Sequence, residues 1–567
     1  MYDTIIRGGS VIDGTGAAAR TADVGISGDR IAEIGRITAP AKRTLDADGL
    51  TVAPGWVDIH THYDGQVCWD TELAPSSWQG VTTILMGNCG VGFAPVRPDG
   101  HDFLISLMEG VEDIPGTALH EGVKFNWESF PQYLDAIDKD FALDVGAQLP
   151  HGALRTYVMG ERAAELAMAT EDEAAEMGRL TEQAIRAGAF GFSTSRTIFH
   201  RTKRGGPTPS LTASAPELLA IAGGVRRAGA GVVQWITDFD DLDAEFDLLQ
   251  SVAERAGRPL SLSLMQRDDR PADWRLTLDR IEAAQAAGVD IRGQVATRPV
   301  GVLYGLETSL GPLVGYPDYE AMRSLPVAER ARRLADRDFR ARLLANPPQD
   351  RVQHVSQLLK SYDRMYELGS PPNYEPTPDM SVAARAAREG RDPLDVAIDI
   401  MIADGGTGFI YATARNYTHR NLDVVREMIT HPHTLFGLGD GGAHVATLCD
   451  ASFPTFQAAW WGRDRPHGRL PLEWLVMRQA RDTARAVGLN DRGVLAPGYR
   501  ADVNLIDYPH LNALDPELTQ DLPAGGKRLM QRASGYVATL CAGAVTFENG
   551  RFTGARPGRL VRGAQTL

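Results

Sequence analysis

Two histidines near the N-terminus, His60 and His62, have the spacing of a metal-binding pair. They lie in the run DIHTH (58–62), directly after an Ala-Pro-Gly-Trp turn. Because side chains at positions i and i+2 of a β-strand point to the same side, both imidazoles can reach one metal ion from the end of that strand. We therefore predict that His60 and His62 are metal ligands; the alternative is two histidines that only line a core.

A second polar cluster is the segment GDGGAH (439–444), which follows the apolar run TLFGL. At the end of a late strand, Asp440 would face the histidines, where it can both ligate a metal and accept a proton from an attacking water. Asp440 is therefore the predicted general base and acid; the alternative is a cap of the following helix. His444 is expected either to support a ligand from behind or to be structural.

The third candidate is Cys89, in the run GNCGVG (87–92). A deprotonated thiol is a strong soft ligand, so Cys89 can bind one metal or bridge two, although an inert buried thiol is the alternative. The remaining cysteines are widely spaced without any CxxC pair, which predicts neither a disulfide framework nor a zinc knuckle; they are Cys68, Cys449 and Cys541.

These residues need a scaffold, and the chain alternates strand-like apolar runs with Ala- and Arg-rich helical stretches. That rhythm predicts parallel strands joined by helices, and eight such units predict a TIM-type (β/α)8 barrel with its chemistry at the C-terminal ends of the strands. The eight runs are 57–62, 81–89, 144–151, 189–195, 232–238, 260–266, 290–299 and 434–440.

Both ends of the chain differ from this middle, because they contain short alternating strands with Gly and Asp-Gly turns. We predict one small β-sandwich built from both termini, residues 1–54 and 491–567, around a barrel domain at 55–490. The connection at about 300–430 is too long for a normal crossover, so we interpret it as an insertion that caps the barrel.

Several segments together resemble the N-acyl-D-amino-acid deacylase (D-aminoacylase) branch of the amidohydrolase superfamily. They are APGWVDIHTHYD, VTTILMGNCGVGFAPVRP, LPHGALR, GFSTS and GDGGAHV, and the resemblance spans essentially the whole chain. It implies a zinc enzyme in which the residues matching His60 and His62 lie near one metal position and the residue matching Cys89 near a neighbouring one. The residue matching Asp440 would be the catalytic acid and base.

The sequence departs from this family at two strand ends. The family has further metal-binding histidines after strands five and six, where this chain has Gln234 and then Met265 and Gln266. Glutamine and methionine are poor zinc ligands beside imidazole. We therefore expect one Zn²⁺ rather than two, held by the two histidines and Asp440 with help from Cys89.

A site rebuilt around other histidines stays open, with His151 and His200 as the nearest candidates, although both are expected to face substrate or to support a ligand.

A guanidinium fork suits the free carboxylate of an N-acyl amino acid. The arginines near strand ends are Arg155, Arg196, Arg267, Arg298 and Arg415, each with a surface or structural ion pair as its alternative.

The predicted activity is hydrolysis of a small amide on a carbon–nitrogen bond other than a peptide bond, with an N-acyl-D-amino acid as substrate and a metal-activated water as nucleophile. Two alternatives remain open: hydrolysis of a cyclic amide or a lactone on the same fold, and a non-catalytic protein that has lost its metal and binds a small molecule.

Composition limits the partners. The chain has 567 residues and a net charge of −15. This acidity argues against nucleic-acid or membrane surfaces, which need a concentrated positive field. No N-terminal signal pattern or long apolar run is visible, so we expect a cytoplasmic protein whose partner is a small-molecule substrate; a homo-oligomer stays open.

Overall fold

The computed structural model of the chain describes residues 1–348 and 359–567. In chain order the strands are β1 Tyr2–Val11, β2 Arg20–Ser27, β3 Arg30–Gly35, β4 Ala41–Asp46, β5 Thr51–Pro54, β6 Trp56–Asp58, β7 Val81–Met86, β8 Asp144–Ala147, β9 Leu149–Pro150, β10 Gly191–Arg196, β11 Val232–Thr237, β12 Leu260–Ser263, β13 Ile291–Val295, β14 Val300–Tyr304, β15 Met365–Glu367, β16 Ile410–Arg415, β17 Thr434–Phe436, β18 Val503–Ile506, β19 Asn512–Leu522, β20 Gly526–Ser534, β21 Tyr536–Cys541, β22 Ala544–Glu548 and β23 Arg551–Phe552.

The α-helices, in the same order, are α1 His101–Glu112, α2 Gly116–Gly122, α3 Phe130–Ala136, α4 His151–Met159, α5 Glu161–Ala164, α6 Glu171–Ala187, α7 Ala215–Ala228, α8 Leu242–Ala256, α9 Asp273–Ala286, α10 Pro317–Glu320, α11 Val327–Ala335, α12 Arg337–Ala345, α13 Val382–Glu389, α14 Pro393–Gly406, α15 Asp423–Thr430, α16 Phe453–Phe456, α17 Leu472–Met477 and α18 Thr483–Ala486. Two π-helical segments, Gln457–Asp464 and Arg478–Asp482, lie between the last helices.

Each of the eight predicted strand runs contains a strand. Strands β6, β7 and β8 form one parallel sheet, and β9 to β13 with β17 form a second parallel sheet in the order β17-β13-β12-β11-β10-β9. Strands β8 and β9 follow each other in the chain with only Gln148 between them, so the two sheets are continuous at that point. This is an α/β arrangement of parallel strands and helices, with which an eight-stranded barrel is consistent.

The first and last of these strands also meet. The backbone N–H of His62 donates to the carbonyl of Gly441 at 2.8 Å, and that of Asp440 donates to the carbonyl of His60 at 3.0 Å. These bonds tie the chain beyond β6 to the chain beyond β17. Backbone hydrogen bonds therefore hold the His-x-His motif and Asp440 side by side. The relative position of these residues does not depend on contacts between their side chains alone.

The two ends of the chain pair with each other, as predicted. Strand β5 is antiparallel to β18, so residues 51–54 lie beside residues 503–506. Nine strands from the two ends form one sheet, in which β1 pairs with β2, β4 and β5, and strands β19 and β20 pair with each other in a separate sheet. The predicted sandwich is thus only partly visible, because most of these strands belong to one branched sheet.

The long connection between β13 and β17 has a core of its own. It contains the antiparallel sheet β14-β16-β15 and helices α10 to α15, and apolar residues such as Tyr304, Leu334 and Ile398 are buried there. Residues 349–358 of this predicted insertion lie outside the described part of the chain. None of the helices described in residues 1–348 and 359–567 combines the length and the apolar character needed to cross a bilayer.

Candidate metal centre

Three of the four predicted metal ligands converge in the interior. One donor atom each from His60, His62 and Cys89 lies within 4.8 Å of the other two. The Sγ atom of Cys89 is 3.3 Å from Nε2 of His60. All three side chains are buried, so polar donor atoms meet in a region with little access to water. Two imidazoles and a thiol at these distances are a donor set suited to zinc.

Asp440 is the fourth member of this cluster. Its Oδ1 atom lies 3.3 Å from Nε2 of His60 and 3.5 Å from Nε2 of His62. The Asp440 side chain is 20 % exposed, whereas those of His60 and His62 are 1 % and 2 % exposed. The carboxylate is thus the side of the cluster that a small molecule from solvent can reach.

The outward-facing nitrogen of each histidine also has a partner. Nδ1 of His60 donates to Oε1 of Gln294 at 2.7 Å, and Nδ1 of His62 lies 3.1 Å from Oε1 of Glu112. These contacts leave both Nε2 atoms directed at Cys89 and Asp440, which is the orientation that metal-binding histidines need. Sequence reasoning missed both Gln294 and Glu112, because neither lies in a recognisable motif.

The backbone around Cys89 is shaped by close packing. Gly87 has φ +78°, and a Cβ there would lie 2.3 Å from the carbonyl oxygen of Gln148, so no larger residue fits. Cys89 itself has φ 54°. Its backbone N–H donates to Oε1 of Gln234 at 2.7 Å. Gln234, at the position where the resemblance implied a metal-binding histidine, therefore holds the loop that presents Cys89.

The other departure from the family has a similar local explanation. Asn416 lies just beyond strand β16, and its backbone N–H donates to the carbonyl of Gln266 at 3.0 Å. The backbone N–H of Gln266 donates in turn to Oδ1 of Asn416 at 2.8 Å. Oε1 of Gln266 also accepts from the N–H of Thr418. Met265 packs against the small apolar cluster of Ala296 and Leu438. The chain beyond strand β12 thus anchors the inserted segment.

Three residues of the centre have left-handed backbone conformations. The φ angles are 54° for Cys89, 44° for Asp440 and 50° for His444. Such conformations cost free energy in residues other than glycine, and they cluster at functional sites where the surrounding structure imposes them. The hydrogen bonds from Asp440 to His60 and from Cys89 to Gln234 are part of that constraint.

Burial and charge act in opposite directions in this cluster. Burial lowers the pKa of His60 to about 4 and raises the pKa of the Cys89 thiol to about 11. Burial also opposes protonation of His62, but the charge of Glu112 and the contact with Asp440 outweigh it and hold the pKa of His62 well above its usual range. Burial opposes ionisation of Asp440, yet His62 and His60 keep its pKa below the usual range.

The electrostatics therefore favour a positive charge between the two histidines and Asp440. The raised pKa of His62 reflects the same preference. A divalent cation bound there would also supply positive charge, and metal binding deprotonates a thiol ligand such as Cys89. The donor set and the charge balance of the described residues fit a metal ion.

Two of the predicted substrate-binding residues lie elsewhere in the interior. Nε2 of His151 donates to Oε1 of Glu217 at 2.9 Å, and Nε of Arg155 donates to the same oxygen at 2.8 Å. All three side chains are completely buried. This cluster joins helices α4 and α7, and a role in substrate binding stays a prediction for both residues.

Three more of the predicted arginines, Arg196, Arg267 and Arg298, have carboxylate partners. Arg196 pairs with Glu245 at 2.6 Å, and Arg267 pairs with Asp269 at 2.6 Å. Arg298 pairs with Asp450 at 3.0 Å, and the ring of Tyr374 lies 3.7 Å from its guanidinium carbon. Their predicted contacts with substrate remain predictions.

His200 and His444 lie on the approaches to the cluster. Nδ1 of His200 is 2.9 Å from Oγ of Ser195, and burial together with the charges of His444 and His62 lowers the pKa of His200 to about 3. Nε2 of His444 lies 3.9 Å from Oε2 of Glu112. Glu112 therefore lies between His444 and His62, and a supporting role of His444 behind the ligands stays a prediction.

This geometry can be compared with known proteins. A family model described as "Amidohydrolase family" matches residues 43–547. The chain belongs to the amidohydrolase family. Membership confirms the predicted enzyme class, a metal-binding hydrolase that acts on carbon–nitrogen bonds other than peptide bonds.

Individual relatives in this family fall in the predicted branch. A D-aminoacylase of Alcaligenes xylosoxydans xylosoxydans is 28 % identical over 99 % of this chain and 97 % of its own length. The structure of an N-acyl-D-glutamate deacylase from Bordetella bronchiseptica, complexed with zinc and a phosphonate inhibitor, superposes with a TM-score of 0.65 at 25 % identity, covering 99 % of both chains.

A third relative bears on the number of metal ions. It is a D-aminoacylase with a binuclear metal centre, described as having one-metal activation and second-metal attenuation. It is 25 % identical to this chain, with a TM-score of 0.65 and coverage of 99 % of this chain and 100 % of its own.

Proposed function

We propose that this amidohydrolase cleaves the amide bond of an N-acyl-D-amino acid. The observation that carries the proposal is the convergence of His60, His62 and Cys89 within 4.8 Å, next to the partly exposed carboxylate of Asp440. The relatives that align along the whole chain, a D-aminoacylase and an N-acyl-D-glutamate deacylase, support this substrate class.

We further propose a single zinc ion, held by His60, His62 and Asp440 with Cys89 as an additional ligand. Among the residues that the structure describes, His60, His62 and Cys89 are the one group of three or more His, Cys, Asp or Glu side chains with converging donor atoms, and Asp440 lies beside it. Gln234 supports a single metal ion, because it stands where the family has a metal-binding histidine. Its side chain accepts a hydrogen bond from the backbone of Cys89 instead of binding a second metal. The substrate is the proposed small-molecule partner.

We propose that the eight parallel strands close into a (β/α)8 barrel at 55–490. The small β domain would then consist of residues 1–54 and 491–567. The hydrogen bonds between the segments that follow β6 and β17 support closure, and the pairing of β5 with β18 supports the shared terminal domain.

Each residue then has a defined role in the reaction. When bound, the metal ion supplies Lewis-acid activation of water and of the amide carbonyl. Asp440 accepts the proton of the attacking water and delivers it to the leaving nitrogen, which requires an ionised carboxylate at the start. The low pKa of Asp440 meets that requirement. Burial of the histidines excludes bulk water from the reacting atoms.

A panel of amides tests this function. Protein stripped of metal and protein reloaded with Zn²⁺ would be assayed with N-acetyl-D-amino acids, their L-enantiomers, a cyclic amide and a lactone. We expect hydrolysis of the D-series only after reloading, with about one zinc bound per chain. Tight zinc binding with preferential turnover of the cyclic amide or lactone would contradict the substrate class. The absence of both tight zinc binding and turnover would identify a non-catalytic binding protein.

A further inference from the structure

Arg415, the last residue of strand β16, has no carboxylate partner among the residues that the structure describes. Arg155, Arg196, Arg267 and Arg298 each pair with a carboxylate at 3.0 Å or less. Arg415, by contrast, makes one side-chain hydrogen bond, from Nη1 to the carbonyl of Ala414 at 3.0 Å. Within residues 1–348 and 359–567, no carboxylate oxygen lies within 4.0 Å of its nitrogens.

The acidic groups around Arg415 are already engaged by other partners. Asp238 accepts hydrogen bonds from Oγ1 of Thr197 at 2.6 Å and from the N–H of Ile198. Asp269 binds Arg267, and Asp268 binds Arg364 and the hydroxyl of Thr418. These carboxylates are therefore committed, and none of them neutralises Arg415 by direct contact.

A cation in this position is costly for the folded protein. Arg415 is largely buried, and burial, with the nearby positive charge of Arg267, lowers the pKa of Arg415. A charge withdrawn from water is unfavourable unless an opposite charge compensates it. An anion paired with Arg415 would supply that compensation.

The position of Arg415 connects it to the metal cluster. It ends strand β16, and the next residue, Asn416, is fixed to the end of barrel strand β12 by its two hydrogen bonds with Gln266. The guanidinium carbon lies 5.4 Å from the ring centre of Phe199. Phe199 is 56 % exposed and directly precedes His200, whose Nδ1 lies 2.9 Å from Oγ of Ser195 near the C-terminal end of strand β10.

We propose that Arg415 binds the carboxylate of the substrate while the amide bond lies at the metal cluster. Arg415 would thus be a specificity-determining residue, with the exposed ring of Phe199 as an apolar wall between the two positions. This inference rests on the proposed function, because it assumes an acylated amino acid as ligand. A guanidinium with four free N–H groups can hold a carboxylate by two parallel hydrogen bonds.

Calorimetry with a charged and a neutral probe tests this role separately from turnover. The full chain carrying Asp440→Asn and loaded with Zn²⁺ would be titrated with N-acetyl-D-leucine and with N-acetyl-D-leucine methylamide, which lacks the carboxylate. With Arg415 present we expect the acid to bind at least about tenfold more tightly than the methylamide, as a charge-assisted bidentate contact implies. Arg415→Met should abolish that preference, and Arg415→Lys should restore part of it.

Arg332→Met is the matched control, since Arg332 is 73 % exposed and pairs with Glu329 on a helix of the insertion. It should leave the preference for the acid unchanged. A preference that survives Arg415→Met, equal binding of both probes with Arg415 intact, or no binding of the acid would each overturn the inference. Failure of the proposed function is a different result, namely no hydrolysis of any acylated amino acid by the wild-type zinc protein.

Discussion

Oε1 of Glu112 lies 3.1 Å from Nδ1 of His62, on the side of the imidazole that faces away from Cys89 and Asp440. Glu112 is 1 % exposed, and neither of its oxygens accepts an aligned hydrogen bond from a described residue. The contact is therefore an ion pair rather than an ideal hydrogen bond. It places a fixed negative charge behind the centre, where it favours a cation on the other side of His62.

Replacing this charge should weaken metal binding without removing a ligand. We expect Glu112→Gln to lower zinc affinity about 10- to 100-fold, which is the usual cost of losing a partner behind a metal-binding histidine. Competition with a chromogenic chelator would measure the affinity directly. Glu109→Gln is the control: Glu109 lies on the same helix, pairs with Lys203 at 3.2 Å and should leave the affinity unchanged. Equal affinities for the two variants would remove Glu112 from this role.

Cys89 should contribute to metal retention through its thiolate. Serine has nearly the same size but does not ionise near neutral pH, so Cys89→Ser should reduce the zinc that survives dialysis against a weak chelator. Elemental analysis of the dialysed protein would measure it. The half-buried free thiol of Cys68 offers a matched substitution, and Cys68→Ser should retain the full amount. Full zinc retention by Cys89→Ser would show that the thiol is not a ligand.

Asp440 should be required for turnover more than for metal retention. We expect Asp440→Asn to lower kcat by about 10²- to 10⁴-fold, because an amide cannot accept the proton of the attacking water. His60, His62 and Cys89 should still hold most of the zinc. Steady-state kinetics and elemental analysis of the same preparation would separate the two effects. Wild-type rates in this variant would exclude Asp440 as the base.

Local patterns in the sequence predict the strands and the cluster well, for a physical reason. His60 and His62 lie two residues apart just beyond strand β6, and Asp440 lies just beyond β17, which parallel pairing brings to the same edge. Glu112 and Gln294 could not be predicted in this way, because their roles depend on tertiary packing. The one available signal for Glu112 is a carboxylate at the buried end of α1, beside Leu104, Met108 and Val111.

The partners of the arginines, by contrast, could not be predicted from the sequence. A sequence shows that Arg155 or Arg298 lies near a strand end, but the partner that neutralises each one comes from a distant segment: Glu217 for Arg155 and Asp450 for Arg298. Arg415 has the same kind of sequence context but no such partner in the part of the chain that the structure describes. Only the three-dimensional arrangement distinguishes an occupied guanidinium from an available one.

The buried cluster of Glu217, His151 and Arg155 should stabilise the fold in a pH-dependent way. Burial opposes ionisation of Glu217, but its contacts with His151 and Arg155 outweigh burial and lower the pKa of Glu217. Glu217→Gln leaves the Arg155 guanidinium buried without its counter-ion, so we expect a loss of about 3–5 kcal/mol in the free energy of unfolding near neutral pH.

The sign of the pH dependence follows from the lowered pKa. The contribution of Glu217 is fully present above the pKa of an unfolded glutamate, about 4.3, and is lost as pH falls through the lower folded-state pKa. Urea unfolding of wild type and Glu217→Gln should therefore differ most above about pH 5 and converge as the medium becomes more acidic. Glu245→Gln, which removes the partner of the part-exposed Arg196, should cost less. A difference between wild type and Glu217→Gln that stays constant or grows towards low pH would contradict this assignment, because it would mean that Glu217 is protonated in the folded protein.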